Sequence, residues 1–276
     1  MKKNVLALSI AAMIGGLGFA GIAAADVVVG SGGAGGTVGT TGAAKGVWIP
    51  NATTASTAWK LSATNTRDLS VAQGGTGHSL VVPYFNAQNG NMTVLHVVNT
   101  DQDHGKLAKV RFRSAANSDD ILDFQVFLSP GDVWSAAVSA SGELSALNTN
   151  DTSCTLPSAA DIKAQGGLFK TGRVNPTNSA AETREGYVEI LNTADIPAGS
   201  ALFTAIKHVN GKAPCTASVM DAQFADLKAA DAVNNPRTRG YSWPTGGLYA
   251  NWILVNTTDK ASFSGEAVAV RAETAG

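Results

Sequence analysis

The run Asn99-Thr100-Asp101-Gln102-Asp103-His104-Gly105 places an oxygen-bearing side chain at every second position. Calcium loops use that spacing to aim several oxygens at one centre. Asn99, Asp101 and Asp103 are therefore the candidate metal ligands, and calcium is the one cofactor the sequence brings into view. The match to a hand-type loop is partial. Gly105 falls one place late, and Val110 stands where a bidentate glutamate belongs. A polar hairpin turn is the competing reading. Asp119 and Asp120, in the next loop, are the acids that could add to such a centre.

Tyr241, Trp243 and Tyr249 are the candidate ligand-binding aromatics, with Pro244, Gly246 and Gly247 between them. Flat rings on a loop can stack on sugars or on a partner protein, because they join apolar faces to polar edges. The alternative is that they cap one end of a core. The four histidines, His78, His96, His104 and His208, have no paired ligand spacing and do not read as a zinc site. No Gly-x-Ser-x-Gly elbow is present, and Gly74-Gly75-Thr76-Gly77-His78-Ser79 precedes a strand rather than opening a helix. Paired carboxylates for glycoside hydrolysis stay open, because their separation depends on the fold. Nothing in these residues specifies an enzyme.

The N-terminus has the parts of a secretory signal peptide. Lys2 and Lys3 start it, an apolar run from Val5 to about Ile22 follows, and Ala23-Ala24-Ala25 offers the exit before Asp26. Cleavage after Ala25 is expected, leaving about 250 residues, enough for one large core or two small ones. No later stretch is apolar enough to span a bilayer. Losing Lys2 and Lys3 takes the 20 basic residues to 18 against 21 acidic ones, a net of −3. That balance, with no basic run, argues against nucleic acid as a partner. Two cysteines in an exported chain, Cys154 and Cys215, read as one disulfide; two free buried thiols are the alternative.

These residues need elements to position them, and the elements read as β. A glycine-rich arm and lead-in cover 26–73, with Val27-Val28-Val29 as a candidate donor strand. From Leu107 to Arg113 the chain alternates: Ala108, Val110 and Phe112 face one way, and Lys109, Arg111 and Arg113 the other. Leu122, Phe124, Val126 and Leu128 form another inward row. Asn89-Gly90 and Pro130-Gly131-Asp132 are turn signals. Further strands are expected at Leu80–Val82, Met92–Val98, Tyr187–Leu191, Ala201–Val209, Leu248–Val255 and Ala267–Ala272, giving roughly nine strands. Trp134 and Trp252 belong to the core. An echo recurs at Val98-Asn99-Thr100-Asp101, Leu191-Asn192-Thr193-Ala194-Asp195 and Val255-Asn256-Thr257-Thr258-Asp259, each read as a strand leaving into a side-chain-stabilised turn. Thr93–Arg113 and Asn251–Arg271 read as two copies of one strand–turn–strand unit.

Two stretches lack strand rhythm, about 139–185 and 210–247. Ser158 should cap a short helix in the first, with Gly166-Gly167 as its stop. Met220, Phe224 and Leu227 have helical spacing in the second. The expected fold is all-β: an antiparallel β-sandwich over 74–276, immunoglobulin-like or jelly-roll-like, with two partly helical insertions tied by Cys154–Cys215. Two separate small sandwiches are the alternative.

The phrases LVVPYFNAQNGNMTVLHVVNT, VRFRSAANSDDILDFQVFLSPGDVW, GYVEILNTADIP and WILVNTT resemble an uncharacterised group of secreted proteins from Gram-negative bacteria labelled cell surface proteins. Thr93–Trp134 is also similar to adhesin-type immunoglobulin-like modules. The resemblance implies an envelope or extracellular location and no established activity. No sorting tail follows the last strand before Gly276, so the expectation is either non-covalent attachment to the cell or a chain that continues beyond Gly276. The functional expectation is a structural or interaction protein of the cell surface or extracellular matrix. Its partners would be other surface or matrix proteins, or further copies of itself. The alternatives are a carbohydrate-binding module using the three aromatics, with glycans as ligand, and a secreted hydrolase.

Overall fold

The structure, a computed structural model, describes residues 29–31, 46–49, 68–177, 179–228, 240–242 and 244–273. The expected leader, Trp59 and Trp243 lie outside the described residues. Two short strands, β1 (Val29–Ser31) and β2 (Gly46–Ile49), pair in parallel as a separate two-stranded sheet. The remaining elements in chain order are β3 (Asp68–Val71), β4 (Ser79–Asn86), β5 (Asn91–Asn99), β6 (Gly105–Ser114), β7 (Asp120–Leu128), β8 (Val133–Ser141), β9 (Leu144–Asn148), β10 (Cys154–Leu156), α1 (Ala159–Ala164), α2 (Ser179–Glu182), β11 (Glu185–Ile196), α3 (Ala201–Ile206), α4 (Ala217–Lys228), β12 (Leu248–Asn256), β13 (Ala261–Glu266) and β14 (Val268–Glu273).

Twelve strands build two antiparallel sheets packed face to face. One is ordered β10-β7-β6-β11-β4-β14-β3, the other β13-β12-β5-β8-β9. Strands from early and late in the chain lie side by side in each sheet: β11 lies between β6 and β4, and β12 beside β5. The core between the sheets is the inward row read from the alternation. Ala108, Val110 and Phe112 are fully buried, with Phe124, Val126, Leu128 and Trp134 among them. Trp252 packs against the same cluster. Phe85, Phe112 and Phe169 meet edge-on or tilted, with centroids 5.1–5.9 Å apart, within the range where aromatic quadrupoles attract. Asn89 and Gly90 both take positive φ at the β4–β5 turn, as the dipeptide predicts.

Four expectations need correction. Ala201–Ile206 is a helix, not a strand. Ser200 accepts the amide of Phe203 as N-cap, and Leu202, Ala205 and Ile206 form one buried stripe. A cap and an i, i+3, i+4 row outweigh the β-propensity of the phrase. The stretch 139–185 holds two strands, β9 and β10, each five residues or fewer. The supposed polar turn of the second two-strand unit contains β13, so the chain adds one edge strand before crossing to the other sheet. The sheet also starts earlier than 74, since β3 pairs with β14.

The helical parts do more than decorate one end. Leu107, Phe127, Ala194 and Ile196 on the outer face of the larger sheet pack with Leu202, Ile206, Ala213 and Met220. This is a second, smaller core between sheet and helices. Cys154 and Cys215 are bonded across it, 61 residues apart. Ser158 caps α1 by accepting the amide of Asp161, and Gly166 and Gly167 follow at positive φ. A side chain at Gly167 would meet the Leu147 carbonyl.

Closing a loop of that length restricts the unfolded chain by about 4 kcal/mol. The Cys154→Ser/Cys215→Ser variant should therefore lose about that much stability in urea unfolding while keeping its β circular-dichroism signature.

Candidate functional site

Lys106 is in phase with Ala108, Val110 and Phe112, so its side chain points inward. It is fully buried. Its ammonium donates to Asp101 Oδ2 at 2.9 Å, Asp195 Oδ2 at 2.9 Å and Thr245 Oγ1 at 2.7 Å. Asp195 is 1% exposed and also accepts from the Thr245 hydroxyl and amide and from Asn192 Nδ2. A β-bulge at Asn192–Ala194 shifts the phase of β11 and sets Asp195 opposite Lys106. Two of the three echoed phrases thus meet at one ammonium. Their local geometry differs from the expectation in one case. Asn99 Oδ1 accepts the Asp101 amide and Asn256 Oδ1 accepts the Asp259 amide, as a turn requires. Asn192 sits inside β11 instead and bonds Asp195 and the Thr245 carbonyl.

The same contacts engage the oxygens of two of the three calcium candidates, Asn99 and Asp101, while Asp103 is exposed. Asn99 is buried, and its amide nitrogen donates to the carbonyls of His104 and Ser129. Asp101 Oδ1 accepts the amides of Asp103 and His104, and Oδ2 faces Lys106. Burial raises the Asp101 carboxyl, but Lys106 and the two amides outweigh it and hold it well below the usual carboxylate range. Asp120 turns to Arg111, Arg113 and Arg173. Among the described residues no three His, Cys, Asp or Glu side chains gather around a common point.

His208 is in the loop after α3, not in a strand. Its Nδ1 lies 3.4 Å from Asp132 Oδ2 and 3.2 Å from Ser129 Oγ, and its Nε2 lies 3.2 Å from Thr152 Oγ1. Carboxylate, imidazole and hydroxyl are the parts of an acid–base relay. Thr152 also donates to the Gly211 carbonyl at 3.1 Å. Burial raises the Asp132 carboxyl against the opposing pull of His208. The contacts join the β7–β8 turn, the strand lead-in at Thr152 and the loop after α3, near the disulfide. His96, on β5, bonds Ser135 Oγ at 2.8 Å. A cavity of about 560 Å³ is lined by Asp120, Phe124, Pro157, Ile162, Lys170 and Arg173, away from His208.

Two of the three candidate aromatics are described, and they sit on different elements. Tyr241 is 6% exposed within the second core, its hydroxyl donating to Gln223, so it offers no ring face to a ligand. Tyr249 is half-buried on β12 and donates to Glu266 Oε1 at 3.1 Å.

A sandwich has two open sides, and this one closes only one of them among the described residues. Leu147 donates to the Gly167 carbonyl, Phe169 to the Ser145 carbonyl and Lys170 to the Ile121 carbonyl. Residues 167–170 therefore stitch the edge strand β9 of one sheet to β7 of the other. On the opposite side β13 and β3 are outermost, and no described strand pairs beyond either. Phe263 on β13 is 57% exposed, and Leu69, Val71 and Val268 are about half exposed. The part of the outer face of β6, β7 and β11 that the helices leave bare carries ion pairs: Lys109–Asp123, Arg111–Asp120 and Arg113–Glu189.

Lys106→Met leaves Asp195 buried without its cation and should cost about 3–5 kcal/mol in urea unfolding. The pH dependence follows from Asp101 and Asp120, both held below the ordinary 3.8 in the folded chain. Their contribution is complete above that value and falls away as pH drops through the lower folded ones. The unfolding midpoint should decline from pH 5 to pH 2, and Asp101→Asn should flatten that decline.

Comparison of the chain with protein-family models, with curated proteins and with solved structures finds no match in any of the three.

Proposed function

We propose that this chain is an exported structural or interaction protein of the cell surface or extracellular matrix, acting through the open side of its sandwich. The observation that carries this reading is the asymmetry of the two sides. One is closed by 167–170 and backed by a disulfide; the other presents two strand edges with Phe263, Leu69, Val71 and Val268 exposed. An unpaired edge offers a row of amides and carbonyls to another strand, and soluble proteins usually block it with charge, proline or a bulge. Neither β3 nor β13 contains proline. The leader-like N-terminus and the resemblance of the strand phrases to secreted cell surface proteins support the location. Among the described residues no helix is long and apolar enough to cross a membrane.

Sedimentation of the chain from Asp26, over a wide concentration range, tests the self-assembly in this reading. Reversible association is the expected result, and a monomer at every concentration would remove it. A chain lacking 26–46 should still associate, because the edges lie in the sandwich. Loss of association there would move the mechanism to the arm.

A further inference from the structure

We infer that β13 is the self-association edge, and that two copies pair β13 against β13 about a two-fold axis through Phe263. This rests on the self-assembly reading above and gives it a register. In an antiparallel pair centred on one residue, positions equidistant from it face each other. Centring on Phe263 brings Lys260, the turn residue at positive φ just before β13, to the end of the pair beside Glu266 of the other copy, and Glu266 beside its Lys260. The two charges are the only ones from 260 to 266, and both side chains are exposed. Glu266 uses Oε1 for Tyr249. In the same register Ser262 faces Ser264, and Ala261 faces Gly265.

The sheet faces agree with this arrangement. Phe263 lies opposite Leu254, and Gly265 opposite Trp252, so the row 261, 263, 265 continues the inner face of β12. Phe263 is an inward-facing residue carried past the end of the core, which is why it is still 57% exposed. Ala261 and Gly265 flank it with little or no side chain. A large residue at the dyad with small neighbours on either side lets the two rings lie across each other. Shifting the register by one residue would send the rings to opposite faces and pair Lys260 with Gly265 or Ala267. The paired product is one continuous ten-stranded sheet, two copies of the five-stranded one.

Cysteine trapping reads the register directly. Directly opposed Cα atoms are about 4.5–5.5 Å apart, within disulfide reach. Cys154 and Cys215 are bonded to each other, and the chain has no other cysteine. Phe263→Cys should form a covalent dimer under mild oxidation. Ser262→Cys and Ser264→Cys should do so poorly alone but cross-link when mixed. Lys260→Glu should weaken association about tenfold by placing like charges opposite at two symmetric positions, and adding Glu266→Lys should restore it. Thermal melting of each variant checks that the fold is kept.

Association with equal cross-linking at all three positions, or without recovery in the double charge reversal, would overturn the β13 register and leave self-assembly standing. A wild-type monomer at every concentration would overturn both.

Discussion

The constraint on which the structure depends is that two sheets sharing one apolar layer must be sealed along their sides. The inward rows make the layer: Val110 and Phe112 from one sheet, Leu95, Val97 and Trp134 from the other, all essentially without solvent contact. Its flanks are a separate problem, because an outermost strand satisfies its backbone on one side only. Here the two flanks are treated differently. Residues 167–170 bond to Leu147, Ser145 and Ile121, closing one. The helices α3 and α4, drawn over the sheet by Leu202, Ile206 and Met220, reinforce that region from outside. The other flank ends in β13 and β3.

Polar groups inside this frame fix its pairing. Lys106 is the one lysine in the inward phase of β6, and it is tolerable there because Asp101, Asp195 and Thr245 take all three of its protons. A buried ion pair of this kind adds little net stability over apolar packing, but breaking half of it is expensive. Its effect is to tie the β5–β6 turn, the bulge in β11 and the 242–247 loop to one point. Asp132 and His208 link the β7–β8 turn to the loop after α3 in a comparable way.

Much of the sandwich was legible because its signals are local. The 107–113 alternation, the Asn89-Gly90 turn and the Ser158 cap depend on neighbours a few residues away, and each appears where the residues put it. The cysteine pair was legible from the even count and the leader-like N-terminus. The failures share a cause. Ala201–Val209 has apolar content suited to either element, and the choice fell to Ser200 and to the face that the sheet leaves uncovered. The strand β13 reads Ser-Phe-Ser-Gly, with one large apolar residue, since an edge strand has few neighbours to pack against. Tyr241 looked like a surface ring because its burial depends on a second core whose members, from Leu107 to Met220, local spacing does not bring together. Lys106 carried a readable signal, a charge in phase with Ala108, Val110 and Phe112, but its partners Asp195 and Thr245 are 89 and 139 residues away.

The account's central claim is that one flank is sealed within the chain and the other is completed by a second copy. Amide hydrogen exchange at several protein concentrations tests it most directly. Amides of residues 261–266 should gain protection as concentration rises, while those of residues 144–148 and 167–170 should stay equally protected throughout. Protection of 261–266 that does not change with concentration would contradict it.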